Sequence, residues 1–161
     1  MFKIKLLILL LSSILVSCTT SLKVNNPKLG LNYISGGVDG LIMDNMLTNY
    51  LQNYDLYDNN SNFKIDANIS HKSNFFITNI DNTSERNLVS STLNIKILNK
   101  VNSCEIYTSN NEISQFYIVV DSKQFPSNDA ALKKIKKDNT ENLIKIFFED
   151  YLFNYYNCDQ N

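Results

Sequence analysis

Apolar and polar residues along this chain fall into a small number of regular patterns, and those patterns predict an element order. Leu29, Leu31 and Tyr33 alternate with Gly30 and Asn32, the period of a half-buried strand, and Gly36-Gly37 ends it. Asp39 stands where a helix N-cap would, its carboxylate able to accept from the free amides of the next turn. Ile42, Met43, Met46, Leu47, Tyr50, Leu51 and Tyr54 then follow at three-and-four spacing, which predicts a helix over Gly40 to Tyr54. Phe63, Ile65, Ala67, Ile69 and His71 alternate with Lys64, Asp66, Asn68 and Ser70, a strand with one wet face. Phe75, Phe76, Ile77 and Ile80 continue in β-prone residues before the turn chemistry of Asp81-Asn82-Thr83-Ser84.

The chain returns with Leu93, Ile95 and Ile97 on one side and Thr92, Asn94 and Lys96 on the other. Ile106 and Thr108 extend the sheet, and Asn110-Asn111 reads as a further turn toward Ile113, Phe116, Ile118 and Val120. Pro126-Ser127-Asn128 starts a helix, and no Gly or Pro interrupts residues 129–156. In its first half Ala131, Leu132 and Ile135 lie opposite Lys133, Lys134, Lys136 and Lys137. In its second half Leu143, Ile146 and Phe153 keep to the first apolar side, while Ile144, Phe147, Phe148, Tyr151, Leu152 and Tyr155 make a second stripe. A helix apolar on two sides is covered on two sides: once by its own sheet, once by the first helix or by a partner protein. The expected architecture is α+β, a two-layer sandwich with two helices packed on a mostly antiparallel four-stranded sheet.

Composition bounds the chemistry. The chain has 161 residues, 43% apolar and 19% charged, the size of one domain. Fifteen basic against sixteen acidic residues give −1, no polyanion-binding excess, so nucleic acid is not an expected partner. One His and three Cys are too few for a His-rich catalytic metal site, and no metal or other cofactor is expected. No Gly-x-Ser-x-Gly elbow, phosphate-cradling Gly-rich loop or dinucleotide fingerprint occurs, so the chain is read as a non-enzyme. His71 stands at an inward position of its strand and reads as a hydrogen-bonded or rim imidazole rather than a catalytic base. Glu149-Asp150 reads as a solvated edge, because adjacent helical side chains diverge by about 100° and cannot share a proton.

Residues 1–17 are read as a cleaved signal peptide. Lys3 and Lys5 precede the apolar run Leu6 to Leu11, a stretch shorter than the ~20 residues of a bilayer-spanning helix. Leu15-Val16-Ser17-Cys18 resembles the bacterial lipobox, which makes Cys18 the lipidated first residue of the mature chain. More than one acyl chain, at about 0.8 kcal/mol per buried methylene, makes such an anchor effectively permanent. Removing residues 1–17 deletes two lysines and no acid, so the mature protein carries −3. Residues 18–27 then form a linker and 28–157 one domain. Two thiols remain, Cys104 and Cys158, an even number that an oxidising periplasm can join.

Lipobox, strand, helix, antiparallel sheet and long closing helix, in that order, resemble the LptE family of LPS-assembly lipoproteins. The local likeness is to its alphaproteobacterial members: Arg86 before the strand Leu93-Asn94-Ile95-Lys96-Ile97-Leu98, then a polar turn, then a strand leading into Asn128-Asp129-Ala130-Ala131. A helix with Lys133, Lys134, Lys136, Lys137 and Leu143-Ile144 follows. The chain departs from many relatives in carrying Thr19-Thr20 after the lipidated Cys, where they have Gly-Phe. The resemblance implies a lipid-anchored protein on the periplasmic side of the outer membrane. There it would plug and help assemble the LptD-like β-barrel translocon and pass lipopolysaccharide to the outer leaflet. It makes Arg86 and the four lysines candidate contacts for LPS phosphates, and Ile144, Phe147, Phe148, Tyr151, Leu152 and Tyr155 candidate partner-facing residues. Rival readings are an auxiliary lipoprotein of an ABC-type lipid transporter and, on the enzyme side, a lipid-anchored periplasmic hydrolase.

Overall fold

In a computed structural model, residues 26–77, 85–119 and 125–154 are described. The signal peptide, Cys18, the turn at 81–84, Tyr155 and Cys158 lie outside them. The order is β1 (Leu29–Ser35), α1 (Gly37–Asn53), β2 (Phe63–Ile77), β3 (Glu85–Asn99), β4 (Cys104–Ile118) and α2 (Phe125–Asn154). The four strands form one sheet in sequence order. β1 and β2 run parallel, with α1 as their crossover, and the other two pairings are antiparallel. α1 lies over β1 and β2, α2 lies over β3 and β4, and the helices touch along their seam. The expected α+β two-layer sandwich is therefore the observed fold.

Alternation decides which face of the sheet is dry. Val89, Ser91, Leu93, Ile95 and Ile97 of β3 are buried beneath the helices, as are Ile65, Ala67 and Ile69 of β2. Between them stand polar residues such as Asn68, Ser70, Asn94 and Lys96, on the uncovered face. Met43, Leu47 and Leu51 bring α1 onto this core, and Leu143, Ile144, Phe147, Phe148 and Tyr151 bring α2.

The structure corrects several expectations. A bulge between Leu31 and Tyr33 resets the pleat of β1, so Ile34 pairs with the buried Ala67 while Tyr33 turns outward, 65% exposed. Asp39 does not cap α1; the helix begins two residues earlier, behind Gly36, with no side-chain cap. Gly36 has φ of 126°, and a Cβ there would stand 2.6 Å from the Ile69 carbonyl oxygen, so only glycine fits this entry turn. Asn110-Asn111 does not turn: Asn94 pairs with Asn110 and Leu93 with Asn111 inside one unbroken β4. Neither position has the glycine that favours a tight hairpin turn, and the β3 ladder holds both extended.

The most consequential correction concerns the aromatic stripe of α2. Ile144, Phe147, Phe148 and Tyr151 were candidates to face a partner, yet each is 0–2% exposed within this chain's own core. Leu152 packs against the same cluster. The second cover is α1: Tyr50 and Tyr54 stack on Phe148 at 5.5 and 5.7 Å between ring centroids. Beneath, Tyr107 of β4 meets Phe147 and Tyr151 edge-on at 5.5 and 5.8 Å. Such aromatic pairs contribute about 0.5–1.5 kcal/mol each beyond the area they bury. Ile146 and Phe153, expected inside, face outward at 38% and 81% exposure.

Candidate functional site

The lysine cluster of α2 lies beside the N-terminal half of α1, and the two helices leave a groove of about 450 Å³ between them. Val38 and Ile42 of α1 and Leu132 of α2 give it an apolar floor. Lys133, Lys136 and Lys137 stand on its α2 side, and Asp39 closes it from α1. The structure thus brings three of the predicted phosphate-contacting lysines together. Lys134 is exposed and does not line the groove.

Lys136 differs from the other three lysines. One turn before Asn139 and Thr140, it is half-buried and donates to Asp39 Oδ2 at 3.2 Å. Lys133 pairs instead with Asp129 one turn back, at 2.7 Å, which favours its charged form, while the side chain stays 75% exposed. Arg86 is brought nowhere near these groups. It is exposed on β3 opposite Phe76 and Ile118, in the strand register that points away from the helices. Arg86 and the lysines therefore occupy opposite layers and cannot grip one phosphate together.

Below the groove lies a buried polar chain that no sequence motif announced. His71 Nδ1 shares a hydrogen bond with Ser91 Oγ at 2.7 Å. The Asn139 amide donates to the same Ser91 oxygen at 2.8 Å and to the Val89 carbonyl at 3.3 Å. On its other side, His71 Nε2 faces Asp39 Oδ2 at 3.9 Å and has no hydrogen-bond partner among the described residues. Burial disfavours the imidazolium and lowers the His71 pKa; Asp39 opposes that shift and Lys136 reinforces it. Ser91, His71 and Asp39 follow one another as in a nucleophilic triad, but Ser91 is 0% exposed, so no substrate carbonyl reaches its hydroxyl in this state. The arrangement holds β2, β3 and α2 together. The signal that could have located it is the in-register pair His71–Ser91 on the dry face.

A second polar link sits at the opposite end of α2. Tyr107 donates its hydroxyl to Asp150 Oδ2 at 2.6 Å, and Asn154 donates to Oδ1 at 2.7 Å. Those two donors hold the Asp150 carboxyl below its ordinary pKa, while burial and the neighbouring carboxylate push the Tyr107 phenol up. Asp150 is thus more than a solvated edge. Nearby, Asn26 donates to the Tyr151 carbonyl and the Tyr151 hydroxyl donates to that of Pro27, so the chain enters the domain against the last turns of α2. Cys104 is disulfide-bonded. Among the described residues no cluster of three or more His, Cys, Asp or Glu side chains could hold a metal ion, and no helix is long and apolar enough to cross a membrane.

Comparison with known proteins places this architecture. No family model and no curated protein matches the sequence. Solved structures do match in fold. A minor lipoprotein from Acinetobacter baumannii aligns over 80% of this chain and 93% of its own, with TM-score 0.59 and 14% identity. The rare lipoprotein B from Shewanella oneidensis aligns over 76% and 92%, with TM-score 0.58 and 9% identity. A structure described as a lipoprotein from Caulobacter crescentus aligns over 77% and 87%, with TM-score 0.56 and 15% identity. The chain shares the fold of these bacterial lipoproteins.

Proposed function

We propose that this protein is an outer-membrane lipoprotein, anchored through Cys18 on the periplasmic side, that plugs and helps assemble the β-barrel translocon for lipopolysaccharide. The observation that carries the reading is the fold shared with three lipoproteins, on a chain whose first eighteen residues end in a lipobox. In this role the chain is a binding partner and catalyses nothing.

The burial of the aromatic stripe moves the barrel-facing surface elsewhere. The uncovered face of the sheet is the better candidate, because Asn68, Ser70, Lys72, Thr92, Asn94, Glu112 and Ser114 present it with a polar, hydrogen-bonding surface. The lumen of an outer-membrane barrel is likewise polar. The lysines of α2 and Arg86 then act as separate phosphate contacts on opposite layers. Charge reversal at Lys133 and Lys137 weakens LPS binding and flattens its salt dependence, whereas unchanged binding removes those lysines from the reading.

Co-purification tests the assignment. The tagged, membrane-extracted full chain is expected to retain a large outer-membrane β-barrel at near one-to-one stoichiometry, identified by mass spectrometry. Recovery of inner-membrane transporter subunits alone would favour an auxiliary transporter lipoprotein and overturn the translocon role.

A further inference from the structure

The groove between α1 and α2 has the make-up of a ligand site. Val38 is 73% and Ile42 39% exposed, apolar surface left in a concave space whose volume falls within the range of small-molecule sites. Lys137 forms no ion pair among the described residues, and Lys136 is held only by Asp39. An apolar floor beside ammonium groups complements a molecule with an acyl tail and an anionic head. Ammonium groups are point charges that accept a phosphate without fixed geometry.

The buried His71 gives independent support. Its side chain is 2% exposed, and its unpartnered Nε2 is directed at the carboxylate that lines the groove. The groups around it are Asp39 from α1, Lys136 from α2 and Ser91 from β3. Asp39 therefore stands between the Lys136 ammonium, at 3.2 Å, and the His71 ring, at 3.9 Å. As an imidazolium, with both ring nitrogens protonated, His71 would satisfy Asp39 from beneath and release Lys136 toward the groove.

We infer that the α1–α2 groove binds a single-chain amphiphile with a phosphodiester head. The tail lies on Val38, Ile42 and Leu132, Lys136 and Lys137 hold the head, and protonation of His71 strengthens binding. Linkage is reciprocal: the bound anion raises the proton affinity of His71, which burial depresses in the empty groove. The inference shares its lysines with the translocon reading but not the barrel, so a chain that captures no barrel can still bind the amphiphile, and the converse.

The test uses the full chain in phosphatidylcholine vesicles with a trace of lyso-phosphatidylglycerol carrying a photoactivatable group on its acyl chain. Labelling is expected on the peptides containing Val38, Ile42 and Leu132. It should fall about tenfold in the Lys136→Gln/Lys137→Gln variant, a loss of about 1.4 kcal/mol in binding, and by a similar factor for a monoacylglycerol of the same chain length. It should be several-fold stronger near pH 5 than near pH 8, because the probe's single charge is constant over that range while a buried imidazole takes up its proton only in mild acid. His71→Gln removes that pH dependence. Asp39→Asn, a variant that spares the buried imidazole, gives labelling that is strong at both pH values. Equal labelling by the neutral monoacylglycerol, labelling spread over the surface, its loss in millimolar inorganic phosphate, or indifference to pH would each overturn the inference.

Discussion

The two halves of α2 share one backbone and one helical period but are held by different forces. From Leu143 to Leu152 the helix is an aromatic wedge, with Phe147 and Tyr151 both 0% exposed and touching each other, Tyr107 and the strands. From Asn128 to Lys137 it is half-exposed, held by i,i+4 and cross-helix ion pairs beside the α1–α2 groove. Between them Asn139 and Thr140 are buried polar residues, where dry packing gives way to hydrogen bonds. Burial of large side chains carries most of a fold's stability, whereas exposed ion pairs contribute little. The first region therefore holds the domain together, and the second contributes far less to its stability.

The largest effect that could break this contrast is in the wedge. Phe147→Ala should destabilise the domain by about 3–5 kcal/mol, through lost transfer energy and a cavity between Tyr107 and Phe148. Leu132→Ala on the groove floor should cost a small fraction of that; comparable losses in thermal denaturation would erase the distinction. Next, Tyr107→Phe removes the donor to Asp150 and should cost about 1 kcal/mol at neutral pH. Its effect shrinks in acid. A carboxyl held below its ordinary pKa contributes stability above the unfolded value and loses it as pH falls through the folded one. Denaturation of wild type and variant should therefore begin to converge only below the ordinary carboxylate value, about 4, and coincide below the lowered folded one.

A subtler effect lies beneath the groove. His71 has its pKa lowered by burial, so the unfolded chain binds more protons in mild acid. Stability should be full above the ordinary histidine pKa and decline as pH falls from about 7 to 5. His71→Gln should flatten that slope, and an unchanged slope would mean that burial does not depress the proton affinity of His71 in the folded chain. The smallest effect is expected at Lys133. Its ion pair with Asp129 is exposed, so Lys133→Ala should leave the denaturation midpoint unmoved; under the proposed function it should also weaken LPS binding.

Much of the fold was legible because strand alternation is local. The runs through Ile65, Ala67 and Ile69 and through Leu93, Ile95 and Ile97 named their own buried faces, and His71 fell inward where its parity required. The misreadings share a cause: each needed knowledge of a neighbour. The outward turn of Tyr33 depends on a bulge set by register against β2. The extended conformation of Asn110-Asn111 depends on β3 alongside. Lys136 looked like one of four equivalent lysines until α1 placed Asp39 opposite it.

The amino-acid sequence by itself determined the element order, the dry face of the sheet, the lack of a net positive charge and the second apolar stripe on the closing helix. Those properties follow from the pleat, the helical period and the charge count, which need no knowledge of distant residues. Only the tertiary structure decided what covers that stripe. The β1–α1–β2 crossover lays α1 beside α2, so Tyr50 and Tyr54 stack on Phe148, and of the two covers the pattern left open, the first helix or a partner, it is the first helix. The same placement separates Arg86 from the lysines by the full thickness of the sheet and gathers Asp39, His71 and Lys136 from three elements into one cluster. Contacts between residues 30 to 100 positions apart are fixed by how whole surfaces pack, and no local period encodes them.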